Sequence, residues 1–234
     1  MTPDILGLAL HDYFLGNTHE KLLLHTSYSD ELEEMPIDVF YRDPADFPEL
    51  EHIATALCDG HTLDVGAGAG CHALYLQQQG HTVTALEHSP LACSVMHQRG
   101  IQHVIQADFF KYQGETYDTL LFLMNGIGLA GSIAGLRKLL QHCRTLLREG
   151  GQLLFDSSDI SYLYADGSVE KPHGYHGEIR YQYEYKGMTG APFNWLFIDQ
   201  EMLIRIARTE GWVVQVVFED ENDQYLVRME PRAL

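Results

Sequence analysis

The chain has 234 residues, 45% of them hydrophobic and 21% charged, proportions that suit one folded domain with a large core. Fifteen Lys and Arg against 33 Asp and Glu give a formal charge of −18; so acidic a surface repels the phosphates on which nucleic-acid affinity rests, so no nucleic-acid partner is expected. The four cysteines (Cys58, Cys71, Cys93, Cys143) form no C-x-x-C spacing, and the apolar run from Ile5 to Leu10 is too short for a signal or membrane helix, which predicts free thiols, a cytoplasmic protein and no membrane partner.

Residues 1–59 read as mostly helical and irregular. Tyr13, Phe14, Tyr28, Phe40, Tyr41 and Phe47 lie there among prolines and acids, the composition of a segment packed over something rather than a disordered tail. It is expected to be either an extension over a sheet edge or a lid, with Tyr41 a candidate wall of a substrate pocket. The remainder, 60–234, reads as one domain carrying an insert at 160–198.

Thr62-Leu63-Asp64-Val65 is a short apolar strand ending in Gly66-Ala67-Gly68-Ala69-Gly70, and Cys71 to Gln79 can continue as a helix. Glycines at this spacing allow positive φ and let a ligand approach the backbone closely, where the first helical amides are free to meet it. A dinucleotide fingerprint would need its third glycine at Cys71, so the pattern is G-x-G-x-G. Val83–Leu86 forms a second strand ending in Glu87 and His88; Ser89 reads as an N-cap, Pro90 as the first helical residue and Gly100 as the stop. A carboxylate at the tip of this second strand suits paired ribose hydroxyls. A third strand, His103–Ala107, ends in Asp108 and Phe109.

Three successive strands thus close on an acid, and this ordered set resembles class I S-adenosylmethionine (SAM)-dependent methyltransferases. The resemblance implies SAM as cofactor. It assigns the loop Asp64, Gly66, Ala67, Gly68 and Gly70 to the methionine and ribose part, Glu87 with neighbouring His88 to the diol, and Asp108 with Phe109 to adenine. Leu123, Met124 and Asn125, at the carboxyl end of the fourth strand Tyr117–Met124, would line the methionine end. The implied fold is α/β: a doubly wound, Rossmann-like, seven-stranded, mostly parallel sheet whose last strand is antiparallel.

The fourth strand is apolar almost throughout, as a strand buried on both faces must be. The helix from about Ser132 to Arg148 presents Leu136, Leu139, Leu140, Cys143 and Leu147 on one stripe, and Glu149-Gly150-Gly151 is expected to end it. Strand five, Gln152–Phe155, leads to Asp156-Ser157-Ser158-Asp159. In 160–198, Ile179, Tyr181, Tyr183 and Tyr185 alternate with polar residues, the period of a half-buried strand; Tyr183 and Trp195 are candidate pocket residues. Asp199 caps a last helix, and Trp212–Phe218 and Tyr225–Met229 must pair antiparallel across so short a connection.

The sulfonium of SAM already activates its methyl group, so holding an acceptor in line and dry can supply most of the acceleration. Asn125 and Asp156 are the candidate catalytic residues. Asn125-Gly126-Ile127-Gly128 departs from the [DN]-P-P-[YF] of enzymes that methylate adenine or glutamine amides. No compact carboxylate set calls for a metal, and His173 and His176 read as chance neighbours. The expected function is methyl transfer to a small-molecule substrate; an NAD-dependent oxidoreductase or a non-catalytic SAM-binding partner protein are the alternatives, and polyamine synthases lack support without their longer glycine run.

Overall fold

The computed structural model describes residues 3–232. Helix α1 (Ile5–Phe14) is followed by two short strands, β1 (Leu22–Thr26) and β2 (Glu33–Met35), and by α2 (Glu49–Ala56). Strands and helices then alternate: β3 (His61–Val65), α3 (Cys71–Gln78), β4 (Thr82–Glu87), α4 (Pro90–Gln98), β5 (Val104–Gln106), β6 (Tyr117–Phe122), α5 (Ile133–Leu146) and β7 (Leu147–Ser158). Beyond these come β8 (Glu178–Tyr185), β9 (Met188–Thr189), β10 (Phe193–Leu196), α6 (Gln200–Thr209), β11 (Trp212–Glu219) and β12 (Gln224–Pro231). Seven strands form one sheet in the order β11-β12-β7-β6-β3-β4-β5, and a second sheet runs β10-β8-β1-β2 with β9 paired to β8. The larger sheet is the expected Rossmann-like one: β4 and β5 are parallel, as are β6 and β7, while β12 is antiparallel to both β7 and β11.

The chain falls into two compact units. One comprises the residues through Phe47, Asp64–Tyr112 and Arg180–Phe193. Here α1 packs on α4 through Ile5, Ala9, Leu10, Ala92 and Val95. The close approach depends on Gly7, where a Cβ would stand 2.1 Å from Ser89 Oγ. Asp4 links the two helix starts: its carboxylate accepts from the Gly7 amide at 3.0 Å and from the Ser89 hydroxyl at 2.6 Å, while Ser89 Oγ accepts from the Ala92 amide at 3.0 Å. A negative group beside two helix N-termini is electrostatically favoured.

In the same unit β1 pairs antiparallel with β8, Leu22 opposite Tyr185 and Leu24 opposite Tyr183, and β2 pairs with β1 on its other side. Residues 1–59 are helical and irregular as expected except for two short strands, Leu22–Thr26 and Glu33–Met35, between α1 and α2. Leu22–Thr26 has no amphipathic helical stripe, and the half-buried β8 offers its backbone groups as the partner a lone strand lacks.

The second unit comprises Pro48–Leu63, Gln113–Ile179 and Asn194 onward. Tyr117, Thr119, Leu120, Leu121 and Phe122 of β6 are all buried, as the apolar run requires. Ser132 caps α5, accepting from the Gly135 amide at 3.0 Å, and Asp199 caps α6 at the Met202 amide at 2.8 Å. Strand β7 starts at Leu147 rather than Gln152, so the expected loop at Glu149-Gly150-Gly151 is absorbed into the strand. Leu147 pairs with Tyr117, and the irregularity this creates falls between Tyr117 and Thr119.

Candidate active site

The glycine turn lies in the first unit. Gly66, Gly68 and Gly70 all have positive φ, +70°, +57° and +80°, as a sharp strand-to-helix turn demands. The Gly66 and Ala67 amides donate back to the Leu86 carbonyl at 2.9 and 3.3 Å, and Gly70 to Ala67 at 2.7 Å. At Gly66 a Cβ would enter open space. Asp64 is buried, and its Oδ2 has no hydrogen-bond partner. Burial pushes its carboxyl up to about 6, against the pull of His72 and the Ala73 amide.

Glu87 closes β4 and is tied to this turn. Its Oε2 accepts from the Gly68 amide at 3.0 Å, and its Oε1 from the His88 and Ser89 amides at 2.7 and 2.9 Å. A carboxylate oxygen has two lone pairs, so Oε2 keeps one for a further donor. Burial raises the Glu87 pKa, and Asp4 adds to the rise against the three amides. Asp108 begins a short 3-10 turn, accepting from the Phe110 amide at 3.0 Å and pairing with Lys111 at 3.1 Å. Partial burial pushes its carboxyl up, but Lys111, the Phe110 amide and nearby His88 outweigh that and hold it below the usual range. Phe109 is only 3% exposed, whereas Phe110 is 40% exposed. The ring presented to solvent after Asp108 is thus the second of the two phenylalanines.

The amino-terminal segment contributes aromatic side chains here, joined by Arg99 after α4, which the sequence did not single out. Phe40 lies on the turn: a Cβ at Gly68 would stand 3.1 Å from its ring. Arg99 donates to the Ala69 carbonyl at 2.6 Å, and its guanidinium lies 5.1 Å from the centre of the Tyr41 ring. Tyr41 also stacks on Tyr13 at 4.9 Å and donates to the Leu10 carbonyl at 2.5 Å, so its ring and hydroxyl are both engaged. Tyr183 packs 5.1 Å from Phe193; burial, with the Glu87 charge adding, pushes its phenol up to about 12.

In the second unit, β6 ends at Phe122 and is followed by Leu123 and then by Met124 and Asn125 at φ +62° and +54°. Two successive non-glycine residues in the left-handed region store strain that surrounding contacts must hold. The contact here is Asp156, whose two oxygens accept from the Asn125 amide at 2.9 and 2.8 Å, while Oδ2 also accepts from Gln224 at 3.0 Å. Asn125 Oδ1 in turn accepts from Ser158 at 3.1 Å. Asp156 is 1% exposed, and burial pushes it up to about 6. This arrangement makes it a clamp on the turn. The turn continues as a 3-10 helix whose Gly128 is closely approached by the Trp195 indole: a Cβ there would sit 2.0 Å from the indole nitrogen.

The candidate cofactor residues Asp64, Gly66, Ala67, Gly68, Gly70, Glu87, His88, Asp108 and Phe109 fall in one unit with Tyr41 and Tyr183, and Leu123, Met124, Asn125, Asp156 and Trp195 in the other. An orphaned buried carboxylate oxygen, a glycine turn open where a Cβ would project and acids closing β4 and following β5 fit an adenosyl cofactor with ribose and amine donors. Among the described residues no group of three or more His, Cys, Asp or Glu could hold a metal ion.

Fold and turn together define a Rossmann-like, SAM-binding type of domain. Residues 63–155 match the family model of the methyltransferase domain. A solved structure of a SAM-dependent methyltransferase from Bacteroides fragilis, in complex with S-adenosyl-L-homocysteine, is 36% identical, with 98% of this chain and 95% of that one covered and a TM-score of 0.91. The sugar N-methyltransferase KedS8 from Streptoalloteichus is 19% identical over 88% of this chain and 96% of that one, with a TM-score of 0.58, and CcbJ from Streptomyces caelestis is 16% identical over 84% and 96%, at 0.65; these two share the fold. Comparison with the curated proteins finds no match. The chain belongs to the SAM-dependent methyltransferases.

Proposed function

We propose that this enzyme methylates a small molecule, with the SAM cradle formed by the Asp64–Gly70 turn, Glu87 and Asp108. The observation that carries this reading is the unpartnered Asp64 Oδ2 beneath a glycine turn whose Gly68 amide is fixed by Glu87. When bound, SAM supplies an activated methyl group on a sulfonium. The chain's part is to hold the cofactor's amine and diol, exclude water and orient the acceptor. In this assignment Glu87 Oε2 accepts from the ribose, Asp108 accepts from the adenine amine, and Leu123 and Met124 line the methionine end. The N-terminal segment is assigned as a cover, supported by Phe40 against Gly68, and 160–198 as an insert in a 60–234 catalytic domain.

A small acceptor is supported by the charge of −18, which disfavours polynucleotides, and by the shared fold of the sugar N-methyltransferase KedS8. No helix among the described residues is long and apolar enough to cross a membrane. Four buried free cysteines support a cytoplasmic setting. Calorimetric titration with SAM, S-adenosylhomocysteine and NAD tests the reading. Binding of the first two and not of NAD is expected, and the reverse would refute it. Salt-sensitive, sub-micromolar RNA binding would overturn the small-molecule assignment.

A further inference from the structure

We propose that His176 is the general base of the reaction, oriented by Asp159, and that the acceptor is therefore a hydroxyl or a protonated amine, a group that must lose a proton before it can be methylated. The proposal rests on the methyl-transfer reading above.

Asp159 follows the last residue of β7 and is one residue from Ser158, whose hydroxyl reaches the Asn125 side chain after β6. Both lie at the carboxyl ends of adjacent parallel strands, the edge on which doubly wound sheets bind their ligands. Asp159 Oδ1 lies 3.4 Å from His176 Nε2 and accepts from the Ser161 amide at 2.8 Å. Partial burial pushes the Asp159 carboxyl up, but the Ser161 and His176 contacts hold it below its usual range, so it is an anion at neutral pH. Nε2 must then carry the hydrogen, and the lone pair of the neutral ring is on Nδ1. Nδ1 has no hydrogen-bond partner among the described residues, and the side chain is 15% exposed.

The ring is held on its other sides. Tyr175 lies 4.6 Å away, centre to centre, and Tyr164 6.3 Å away and edge-on, its hydroxyl donating to the His176 carbonyl at 3.0 Å. Tyr175 donates to Asp199 at 2.5 Å and accepts from the Asp199 amide at 2.8 Å, which pins it to the cap of α6. The titratable groups around the imidazole are thus Asp159 beyond β7, Tyr164 and Tyr175 on the insert, Asp199 at α6 and, acting on Tyr175 and Asp199 from β12, Tyr225. Burial raises the pKa of all three tyrosines, so none of them serves as the base, and the group with an open nitrogen lone pair is the His176 imidazole. In the step, the proton leaves the acceptor oxygen or nitrogen for Nδ1 and the freed lone pair stays on the acceptor atom. The imidazolium is neutralised by Asp159 and gives its proton to water once product has left.

The test measures S-adenosylhomocysteine release with a set of phenols and primary and secondary arylalkylamines, plus benzoate, an acceptor that needs no base. Turnover of a phenol or amine is expected. His176→Asn should lower its kcat by about 100-fold, the loss fading as pH rises past the acceptor's own pKa, with the S-adenosylhomocysteine Kd within twofold. Added imidazole should restore part of the rate of His176→Gly, and the exposed His173→Gln should leave it unchanged. Asp159→Asn should lower kcat rather than raise KM, and long-range 1H–15N spectra should show the Nε2–H tautomer at His176 in the parent and its loss in this variant. An unchanged pH profile in folded His176→Asn overturns the proposal. So does release with benzoate alone, or with no member of the set, from protein that binds S-adenosylhomocysteine. Failure to bind S-adenosylhomocysteine would instead sink the methyl-transfer reading.

Discussion

Asp156 grips the backbone amide of Asn125 with both carboxylate oxygens, at 2.9 and 2.8 Å, and so holds a non-glycine residue in the left-handed region at the mouth of β6. Burial has pushed this carboxyl up to about 6 from 3.8. A folded-state pKa above the unfolded one means stability fully present below about pH 4 and lost as pH rises through about 6. The loss amounts to about 3 kcal/mol for a two-unit shift. Calorimetric unfolding of Asp156→Asn from pH 4 to 7 should lack that component, its stability falling less than that of the parent. Parallel curves for the two proteins would mean that Asp156 is not ionising in this range.

Glu87→Ala removes the proposed ribose acceptor and, with it, the partner of three backbone amides. Losing charge-assisted hydrogen bonds of this kind should weaken SAM binding by roughly 2–4 kcal/mol. Isothermal titration decides it, and an unchanged dissociation constant rules the assignment out. Asp108→Ala should weaken SAM more than an adenine-free analogue.

Arg99 ties the glycine turn to Tyr41. Arg99→Ala should cost about 1–2 kcal/mol of SAM affinity through a loosened turn, and Arg99→Lys should recover little, since an ammonium cannot stack and donate in the same plane. Full affinity in Arg99→Ala would show that the turn holds its shape without this contact.

Gly128→Ala forces a Cβ against the Trp195 indole, which already closely approaches that glycine. Overpacking of this kind should destabilise the fold by about 1–3 kcal/mol and shift the Trp195 fluorescence. Combining it with Trp195→Leu should relieve part of the penalty. If the double variant is no more stable than the single one, the strain lies elsewhere in the 3-10 turn.

The acids Asp64, Glu87 and Asp108 were readable because each lies within two residues of the carboxyl end of its own strand, within a unit of sequence short enough to show strand, turn and helix together. The antiparallel end of the sheet was readable because the six polar residues between Trp212–Phe218 and Tyr225–Met229 are too few for a parallel crossover. Leu22–Thr26 could not be read as a strand, because the backbone groups that make it one belong to Glu178–Tyr185. Asp156 reads from sequence as a candidate catalytic residue, and nothing local reveals that its oxygens accept from Asn125 and Gln224. Which phenylalanine after Asp108 is buried depends on a single 3-10 turn, where periodicity has too few residues to speak.

The pairing of β1 with β8 also sets an order of events in synthesis. The side chains of His25 and Glu184, which meet across this pair, are 159 residues apart. On a growing chain β1 and β2 therefore leave the ribosome long before the strand that completes their sheet. Until then β1 presents an uncovered ladder of amides and carbonyls, the feature that invites pairing with a neighbouring chain. Closing so long a loop is also slow. Chains stopped before Tyr185 are thus expected to aggregate through this edge, and a circular permutant that joins the two strands by a short turn should fold faster and more cleanly than the natural order.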